Sequence, residues 1–531
     1  NAGAAATEID FAGGAADLLS NSATGVLVAG ELQGAGNAST LTLKSLETFT
    51  NNGLVVLGSN TAFASRPAAG LILLTDNQSN DRIVASTAQF GGTGQLLLDA
   101  NLGALSQAAC AVSPTVADCM AVGSTTGLNT IVVNDTNVSA VGAFNPNGIA
   151  LVTGSTNAGA NFKLDPLSEH YNAAKFGGVL DKPGLFFYDL AWSAANGGTS
   201  LLIGVPDIEA FQLSELGTAS LGVWHASTQS WFDRQADLRV SLQGREGWGP
   251  AVWLRVVGEW TDRDNTQTFT LFNKSYSFDV GYHQDTVGLT GGIDLIRATD
   301  GDTGYVLGAT IGYMDSDVRF NNSSTRAKLS GPTFGVYGTY MNGGLFVDGV
   351  FNANFLNLDV NLPSLGVPPV NASADVRSYG GQIEAGYQMP IGTSAFWEPI
   401  ASLTYVHTDV DDLNLAPVNA IMSYPSTTSF RGAVGLRLGV SGDFQYYKVR
   451  VNLTGRYVHE FDGDSTSILA PVVPGNNLAL VDTLDGGFGE VTLGGNLFAA
   501  GGHLSTFTNV SVRFQSDYQA ASVTAGFRYQ W

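Results

Sequence analysis

The residues best able to do chemistry are histidines, and their placement argues against a reactive centre. None has a partner at the spacing of a metal site or a Ser-His-Asp triad. The six are His170, His225, His283, His407, His459 and His503. No G-x-S-x-G nucleophile elbow occurs, and the glycine-rich pieces lack the strand-helix context of a phosphate-binding loop. The sequence therefore predicts no catalytic residue, no cofactor and no metal, so we interpret the chain as a non-enzyme.

Three acidic groups could in principle hold a hard cation, which wants several carboxylate oxygens. None has the full spacing of a calcium loop, and charge that keeps outer loops soluble is the simpler interpretation. Binding of calcium, or of cations bridged to lipopolysaccharide, stays the alternative. The groups are Asp262 and Asp264; Asp409, Asp411 and Asp412; and Asp462 and Asp464.

Cys110 and Cys119 are the chain's two cysteines, with eight residues between them. An isolated close pair favours a local disulfide in an oxidising compartment. The alternative is two reduced thiols in a packed core. Zinc is a poor fit because no further cysteine or histidine lies nearby.

Composition narrows the class of fold and of partner. The formal net charge of −22 disfavours nucleic acid, while 66 glycines and only 13% charged residues favour β structure with many turns. No apolar stretch is long enough for a spanning helix, so only a closed barrel could cross a membrane. No signal peptide precedes Asn1, and we expect that one was cleaved or that the chain is a later part of a longer precursor.

Short apolar runs, broken by Asn, Asp and Gly, recur through the first 200 or so residues. They include Leu41–Leu43, Leu54–Leu57, Leu71–Leu74, Leu96–Asp99, Ile131–Asn134 and Ile149–Val152. Their wide spacing, without helical segments between them, predicts stacked rungs of a parallel β-solenoid. A β-sandwich, with tighter hairpins and cleaner alternation, is the alternative.

The pattern changes between Ile208 and Arg239, where large apolar residues stand among polar ones. Leu213, Leu216, Leu221 and Trp224 are examples. The segment is interpreted as one helix or helical linker whose N-terminal half is weakened by Gly217 and Gly222.

After Gly247 apolar and polar residues alternate with the period of a strand. In the last segment one face carries Val523, Ala525, Phe527, Tyr529 and Trp531, and the other Thr524, Gly526, Arg528 and Gln530. Alternation alone does not say which face meets lipid. Strand number and loop length must decide this question, because bacterial barrels have an even number of strands with short turns on one side and long loops on the other.

We count twelve candidate strands, with long polar connections alternating with short ones. The strand centres are Leu254, Leu289, Ala309, Val336, Phe351, Ile383, Leu403, Leu436, Val451, Leu493, Val510 and Ala525. The long connections are 261–277, 316–327, 358–376, 408–428 and 460–487. This pattern predicts an antiparallel outer-membrane barrel.

Charged residues on the inward face would give that barrel a polar lumen. They include Arg255, Glu259, Glu384, Glu398, Arg437, Arg450, Arg456, Glu490 and Arg528. Pairing among them and with Asp233, Arg234 or Asp237 would hold a helix carrying Trp224 as a plug. An open porin-like lumen is the alternative.

Taken together, these patterns resemble the classical monomeric autotransporter family of type Va secretion over nearly the whole chain. The barrel half carries the similar segments 221–225, 234–239, 247–248, 282–289, 334–338, 384–387, 398–399 and 457–461. From about Thr40 to Pro206 the chain resembles the pertactin-like stem of that family through segments 41–43, 51–53, 92–96 and 188–190.

The resemblance implies that the stem ends a β-helical passenger and helps it to fold outside the cell. It implies a helix through the lumen from about Leu216 to Asp237, and a terminal signal at Phe527, Tyr529 and Trp531 that the barrel-assembly machinery reads. Some relatives cleave this helix at an Asn-Asn pair, and none lies between Ile208 and Asp237.

We therefore predict an all-β chain with three parts: a right-handed parallel β-solenoid stem (1–206), a linker with a lumenal α-helix (207–240), and a twelve-stranded translocator barrel (241–531). Its expected function is to anchor in the Gram-negative outer membrane and to display its own passenger on the cell surface, as an adhesin. Export of an upstream esterase or protease, or a plain diffusion channel, are the alternatives. Expected partners are outer-membrane lipid and lipopolysaccharide, the barrel-assembly machinery, periplasmic chaperones and host-surface ligands.

Overall fold

The fold was obtained as a computed structural model. It describes residues 5–14, 16–28, 38–57, 70–91, 94–110, 114–127, 129–137, 141–154, 162–195, 198–228, 250–300, 303–365, 369–472, 475–484, 486–499 and 503–531. The chain divides into two compact units. Unit 1 consists of Asn1–Asp207 with Thr268–Ser277 and Pro471–Asn477, and unit 2 consists of Ile208–Gln267, Phe278–Ala470 and Leu478–Trp531.

The strands of unit 1 are short. They are β1 (Ala5–Asp10), β2 (Leu18–Asn21), β3 (Val26–Val28), β4 (Ser39–Lys44), β5 (Thr48–Asn51), β6 (Leu54–Val56), β7 (Leu71–Leu73), β8 (Arg82–Gly91), β9 (Gln95–Ala100), β10 (Cys119–Thr126), β11 (Asn129–Asp135), β12 (Ile149–Thr153), β13 (Phe162–Leu164), β14 (Tyr171–Asn172), β15 (Val179–Leu180), β16 (Phe186–Ser193) and β17 (Thr199–Pro206). All six apolar runs quoted from the sequence fall in these strands or at their ends.

Parallel pairing dominates unit 1. One path runs β1-β4-β8-β10-β12 and a second runs β3-β6-β7-β9-β11-β13, and both are parallel throughout. The leucine-rich faces of the two paths share one buried core that includes Leu41, Ile83, Leu96 and Ile131. After β12 the pairing becomes antiparallel, in the order β12-β17-β16-β15-β14. Successive segments thus bury their apolar residues against those of the next layer.

Three buried aspartates lie between these layers. Asp118 accepts the backbone N–H groups of Asp81 and Asp99, both at 2.8 Å, and Asp81 accepts that of Ser39 at 2.6 Å. Burial raises the pKa of Asp81 to about 8 and that of Asp99 to about 6, and raises the pKa of Asp118 well above its usual range. The carboxyl groups therefore fix the backbone while repelling one another when ionised.

In the described part of unit 2 there are two α-helices, α1 (Ile208–Ser214) and α2 (Leu216–Thr228), followed by the longer strands. These are β18 (Ala251–Arg263), β21 (Tyr282–Asp300), β22 (Thr303–Phe320), β23 (Arg326–Asn342), β24 (Leu345–Leu362), β25 (Val370–Tyr387), β26 (Met389–Ile391), β27 (Ala395–Leu415), β28 (Ala420–Asp443), β29 (Tyr447–Asp462), β30 (Asp464–Pro471), β31 (Leu478–Thr483), β32 (Gly486–Ala499), β33 (Leu504–Phe514) and β34 (Tyr518–Gln530). Strands β19 (Thr266–Leu271) and β20 (Lys274–Asp279), between β18 and β21 in sequence, form a separate hairpin. Two short 3-10 helices lie at Pro363–Leu365 and Ala416–Val418.

The long strands close into a ring. The order is β18-β21-β22-β23-β24-β25-β27-β28-β29-β32-β33-β34, each neighbour is antiparallel, and β34 pairs again with β18. Every predicted strand centre falls in a strand of this ring. The sheet itself has fifteen strands rather than the predicted twelve, because β26, β30 and β31 add short segments to it.

The predicted long loops are wrong in extent. Ser316–Ala327, for example, is mostly strand, since β22 continues to Phe320 and β23 begins at Arg326. A tilted strand needs about 9–11 residues to cross a bilayer. β28 has 24 residues, so the strands continue well beyond a bilayer's thickness. In these extensions the outer face is polar and the inner face apolar, as in β24, where Asp359 is exposed and Leu358 and Val360 are buried.

The two faces of the ring have opposite chemistry. Along β18 the buried positions include Arg255, Glu259 and Arg263, whereas Val256 and Trp260 are about half exposed on the other face. The same division recurs in β34, with Arg528 buried and Phe527 exposed. An apolar outer face and a polar inner face are the arrangement of an outer-membrane barrel, and this settles which face meets lipid.

Candidate functional site

Helix α2 lies in the lumen of the ring. All of its residues except Gly222 are buried, which matches a helix enclosed on every side. Its hydrogen-bond partners come from strands spread around the ring: Arg255 on β18, Gln284 on β21, Asn352 on β24 and Ser429 on β28. A helix that contacts strands so far apart in the ring order must pass through the centre of the ring.

The helical segment begins at Ile208, where the sequence pattern placed it, and α2 begins at Leu216, as the resemblance implied. The chain forms two consecutive helices, α1 and α2, and the description of α2 ends at Thr228. Gly217, taken as a weakness, allows close approach to the wall, because a Cβ there would lie 2.1 Å from the Ser465 hydroxyl. The remainder of the predicted helix, with Asp233, Arg234 and Asp237, lies outside the described residues.

Trp224 anchors the helix to the wall. Its indole is fully buried and its Nε1 donates to the carbonyl of Asn352 at 3.0 Å. Leu221 and Val406 complete a small apolar cluster around it. The strand opposite makes room with Gly380, where a Cβ would lie 2.8 Å from the indole ring.

A buried ionic cluster holds the junction of α1 and α2, and we call it the Arg263 cluster: Glu215, Thr218, Arg263, Asn265 and Asp482. Arg263 donates to both carboxylate oxygens of Asp482, at 2.6 and 2.7 Å, and to Glu215 at 2.9 Å. Thr218 donates to Asp482 at 2.5 Å, and Asn265 to Glu215 at 2.9 Å. Both carboxylate side chains are fully buried, so each depends on these donors for its stability.

A second set of ion pairs lines the inner wall. Arg456 binds Glu384 and Glu490, each at 2.9 Å, and Arg431 binds Glu460 at 2.5 Å. Further pairs join Arg437 with Glu398 and Arg513 with Glu259. Between these pairs and α2 lies a cavity of about 60 Å³ lined by His225, Arg431, Arg456, Glu490 and Arg513 among others. This volume fits only a few water molecules.

The predicted lumen residues are therefore brought together, though with partners that differ in part from those expected. Arg255 reaches the helix and donates to the Ser227 carbonyl at 2.6 Å. Arg450 lies over the Phe396 ring at 4.1 Å, and Arg528 donates to Gln530 at 3.3 Å. Among the described residues of the helical segment, Glu215 forms an ion pair with Arg263, and Thr218 accepts a hydrogen bond from it at 3.0 Å.

Sequence reasoning missed the Arg263 cluster. Arg263 could have been found, because it continues the inward alternation of Arg255 and Glu259 on β18. Asp482 lies 219 residues further along the chain, on β31, and no local pattern links it to Arg263.

The three terminal aromatic residues lie on the outward face. Phe527, Tyr529 and Trp531 are 44%, 47% and 54% exposed, and the rings of Tyr529 and Trp531 lie 6.4 Å apart. The outer surface is thus where any partner would meet them.

The other reactive residues have structural partners. Cys110 and Cys119 form a disulfide with a Cα–Cα distance of 5.4 Å. Asp411 pairs with Arg377 at 3.0 Å, and Asp409 with His407 at 3.0 Å. Over the described ranges, no three histidine, cysteine or acidic residues are arranged to bind a metal ion. Within the same ranges, no helix is both long and apolar enough to span a membrane.

A closed antiparallel ring with an apolar outside, a polar inside and a helix in its lumen defines an outer-membrane barrel of the export type. The family model of the Autotransporter beta-domain matches residues 252–511. Autotransporter CRAC of Citrobacter rodentium is 25% identical over 255 residues, which cover 47% of this chain and 15% of that protein. The autotransporter adhesin/invasin TibA of Escherichia coli O78:H11 is 24% identical over 166 residues, which cover 31% of this chain and 16% of TibA.

Two solved autotransporter structures also match this chain, with TM-scores below 0.5. The transport unit of AIDA-I from Escherichia coli has a TM-score of 0.44 at 15% identity, covering 60% of this chain and 99% of that one. The beta domain of the Bordetella autotransporter BrkA has a TM-score of 0.41 at 18% identity, covering 53% and 100%.

Residues 252–511 of this chain are an autotransporter β-domain, a barrel of the Gram-negative outer membrane. The matched part of this chain corresponds to about a sixth of the length of the two curated relatives.

Proposed function

We propose that this protein exports and displays its own N-terminal region: the barrel anchors in the outer membrane, and unit 1 is the passenger portion at the cell surface. The observation that supports this most strongly is α2 in the lumen. It follows unit 1 in sequence and directly precedes the described strands of the barrel, as expected for a chain that has passed through the pore and stopped there.

The finer organisation belongs to the same proposal. The functional barrel is the ring of twelve long strands, and residues 1–206 are a right-handed β-solenoid stem joined to it by the linker 207–240. The two parallel paths of unit 1, with one shared core, support the solenoid over a sandwich, because a sandwich is built from antiparallel hairpins.

A closed export pore is favoured over a diffusion channel. The Arg263 cluster and Trp224 fix the helix at several points along its length, and the cavity beside it is too small for solutes. A diffusion channel has no need of such a helix. We propose no catalytic role for this chain, and an enzymatic passenger upstream is the second candidate.

Adhesion is the proposed role of the displayed region, supported by the naming of TibA as an adhesin/invasin. The proposed partners are ligands on host cells, outer-membrane lipid and lipopolysaccharide, periplasmic chaperones, and the assembly machinery that reads Phe527, Tyr529 and Trp531. The outward exposure of these three side chains supports the last of these.

The test is protease treatment of intact cells that produce the full chain, followed by immunoblots of heated and unheated outer-membrane fractions with antibody to unit 1. Export predicts that unit 1 is cut from outside while unheated barrel migrates anomalously. Shielded unit 1 in intact cells, or a chain found in the soluble fraction, would overturn the proposal.

A further inference from the structure

A groove of about 680 Å³ lies on the outer face of the barrel, across β25, β27, β28 and β29. Small residues in register leave this space: Ala385 lies opposite Ala401, and Gly432 lies opposite Leu403. Larger apolar side chains stand around them, and these are Ile383, Leu403, Val434, Tyr457 and Phe461. Because the outer face of the barrel meets lipid, the groove opens to hydrocarbon.

An imidazole group lines the same groove. His459 on β29 lies opposite Gly432, and its ring contacts the Phe461 ring edge-on at 4.7 Å. Its Nδ1 is buried and has no hydrogen-bond partner among the described residues. The other five histidines each have a polar partner there: His170 with Asp135, His225 with Ser429, His283 with Asp262, His407 with Asp409, and His503 with the Gln530 carbonyl. An ionisable side chain facing lipid is unusual and indicates a functional site.

The occupant of the groove must be apolar along most of its length and carry a polar group at one end. Apolar contact alone gives no preference for this groove, because the surrounding lipid tails are as apolar as its walls. His459 can discriminate, because an unsatisfied polar group is costly in hydrocarbon. With Nδ1 buried, the tautomer protonated on Nε2 leaves only a lone pair there and offers an N–H donor to the occupant. An acyl chain with its ester or amide carbonyl meets both requirements.

The position of His459 along the barrel selects the leaflet. It lies three residues before the end of β29 at Asp462, which is paired with Phe430 on β28. Beyond Phe430 towards the same end of the ring, the Tyr424 hydroxyl donates to the carbonyl of Leu213 in α1 at 2.7 Å. Because α1 follows unit 1 in sequence, export of unit 1 places this end of the barrel outside the cell. The outer leaflet at that end consists of lipopolysaccharide.

We infer that this groove binds one acyl chain of lipopolysaccharide, and that His459 donates a hydrogen bond to the carbonyl group joining that chain to the sugar. The inference names a lipid site on the barrel, and it rests on the proposed function for the direction in which the barrel is inserted. A lipid held in this way stays on β25 to β29 while the other lipids around the ring exchange.

The test uses the full chain in vesicles of phosphatidylcholine that contain lipid A, the acylated sugar anchor of lipopolysaccharide, with a photoreactive diazirine on one acyl chain. After illumination, labelled peptides are counted by mass spectrometry. Peptides from β27, β28 and β29 should be labelled about fivefold more than those from β33 and β34, which is the factor expected from one hydrogen bond. Even labelling around the ring would overturn the inference.

Two variants separate the shape of the groove from its polar group. Ala385→Leu with Ala401→Leu fills the space, and His459→Phe keeps an aromatic ring but removes the donor. Each should lower labelling of the groove strands about fivefold, whereas Ala525→Leu, an outward alanine on β34, should leave it within about twofold of the unaltered chain. Unchanged labelling in either test variant would overturn the inference. Heat-modifiable migration should be the same in all of them, because each changed side chain faces lipid.

A second probe tests the choice of lipid. Phosphatidylethanolamine with the same diazirine should label the groove strands no more than the rest of the ring, and preferential labelling by it would overturn the assignment to lipopolysaccharide. Labelling in vesicles does not require export. If unit 1 is shielded in intact cells the proposed export fails, whereas loss of selective labelling is a failure of the lipid site alone.

Discussion

Removing the cation of the Arg263 cluster should open the pore. Arg263→Met would leave the carboxylates of Glu215 and Asp482 fully buried and close together, without the guanidinium that binds both. Breaking a buried ionic group in this way costs about 3–5 kcal/mol. Because this cost falls on the state with the helix seated, the population of chains with a displaced helix should rise roughly a hundredfold to several thousandfold.

The assay is single-channel conductance of the purified full chain in planar bilayers. The unaltered protein should be silent or rarely open, and Arg263→Met should show frequent openings. Arg319→Met is the matched control, since that arginine forms an exposed ion pair with Asp285 at 2.8 Å, a type worth about 0–1 kcal/mol. Adding Glu215→Gln and Asp482→Asn to Arg263→Met should restore closure, because neutral amides leave no buried charge. Equal conductance of Arg263→Met and Arg319→Met would refute the reasoning.

Three further predictions concern stability. The raised pKa of Asp81, about 8, exceeds the 3.8 of a free aspartate, so folded unit 1 holds a proton that the unfolded chain has lost. The contribution of Asp81 to stability should therefore be complete below about pH 4 and be lost, by up to about 6 kcal/mol, as the pH rises through 8. Protease resistance should follow, and Asp81→Asn should make the profile shallower, with the remaining slope due to Asp99 and Asp118. A flat profile in the unaltered chain would contradict this. Gly380→Ala should place a methyl group 2.3 Å from the Tyr405 carbonyl oxygen and 2.8 Å from the Trp224 ring, at a cost of about 1–3 kcal/mol. It should lower the temperature at which the barrel loses its anomalous migration, whereas Gly455→Ala, with open space at its Cβ, should not. Equal temperatures would refute the close packing. Replacing both Cys110 and Cys119 with serine should lower the stability of unit 1 by about 2–3 kcal/mol, seen as faster proteolysis that reductant no longer accelerates; unchanged proteolysis would mean that the bond contributes nothing.

The barrel was predictable because its strands obey a rule that operates residue by residue. Val523, Phe527 and Tyr529 alternate with Thr524 and Arg528 because one face meets hydrocarbon and the other a polar lumen. Each such strand can therefore be recognised from its own residues, without knowing which strands it pairs with. The ends of the strands were not predictable from this rule, because beyond the bilayer the alternation reverses. In β24, for example, Asn357 and Asp359 are exposed on the outer face whereas Leu358 and Val360 are buried on the inner face.

Of the lumen, only the inward-facing residues of the barrel strands could be predicted from the sequence. Inward charges such as Arg255 and Glu384 follow from strand periodicity, but their partners depend on which strands meet across the ring. Arg263 and Asp482 are brought together by closure of the barrel. The glycines of α2 misled for a related reason: a glycine lowers helix propensity in isolation, yet Gly217 is what allows the helix to fit against Ser465.

The seam of the ring joins the first barrel strand to the last. All 13 residues of β18 are in register with β34, from Ala251 opposite Gln530 to Arg263 opposite Tyr518. A chain that stops short of β34 would leave two open edges that hydrocarbon cannot tolerate. Complete translation is therefore a condition for stable insertion. Only a chain synthesised through β34 can close the ring, so truncated chains should be unable to form the barrel that displays unit 1.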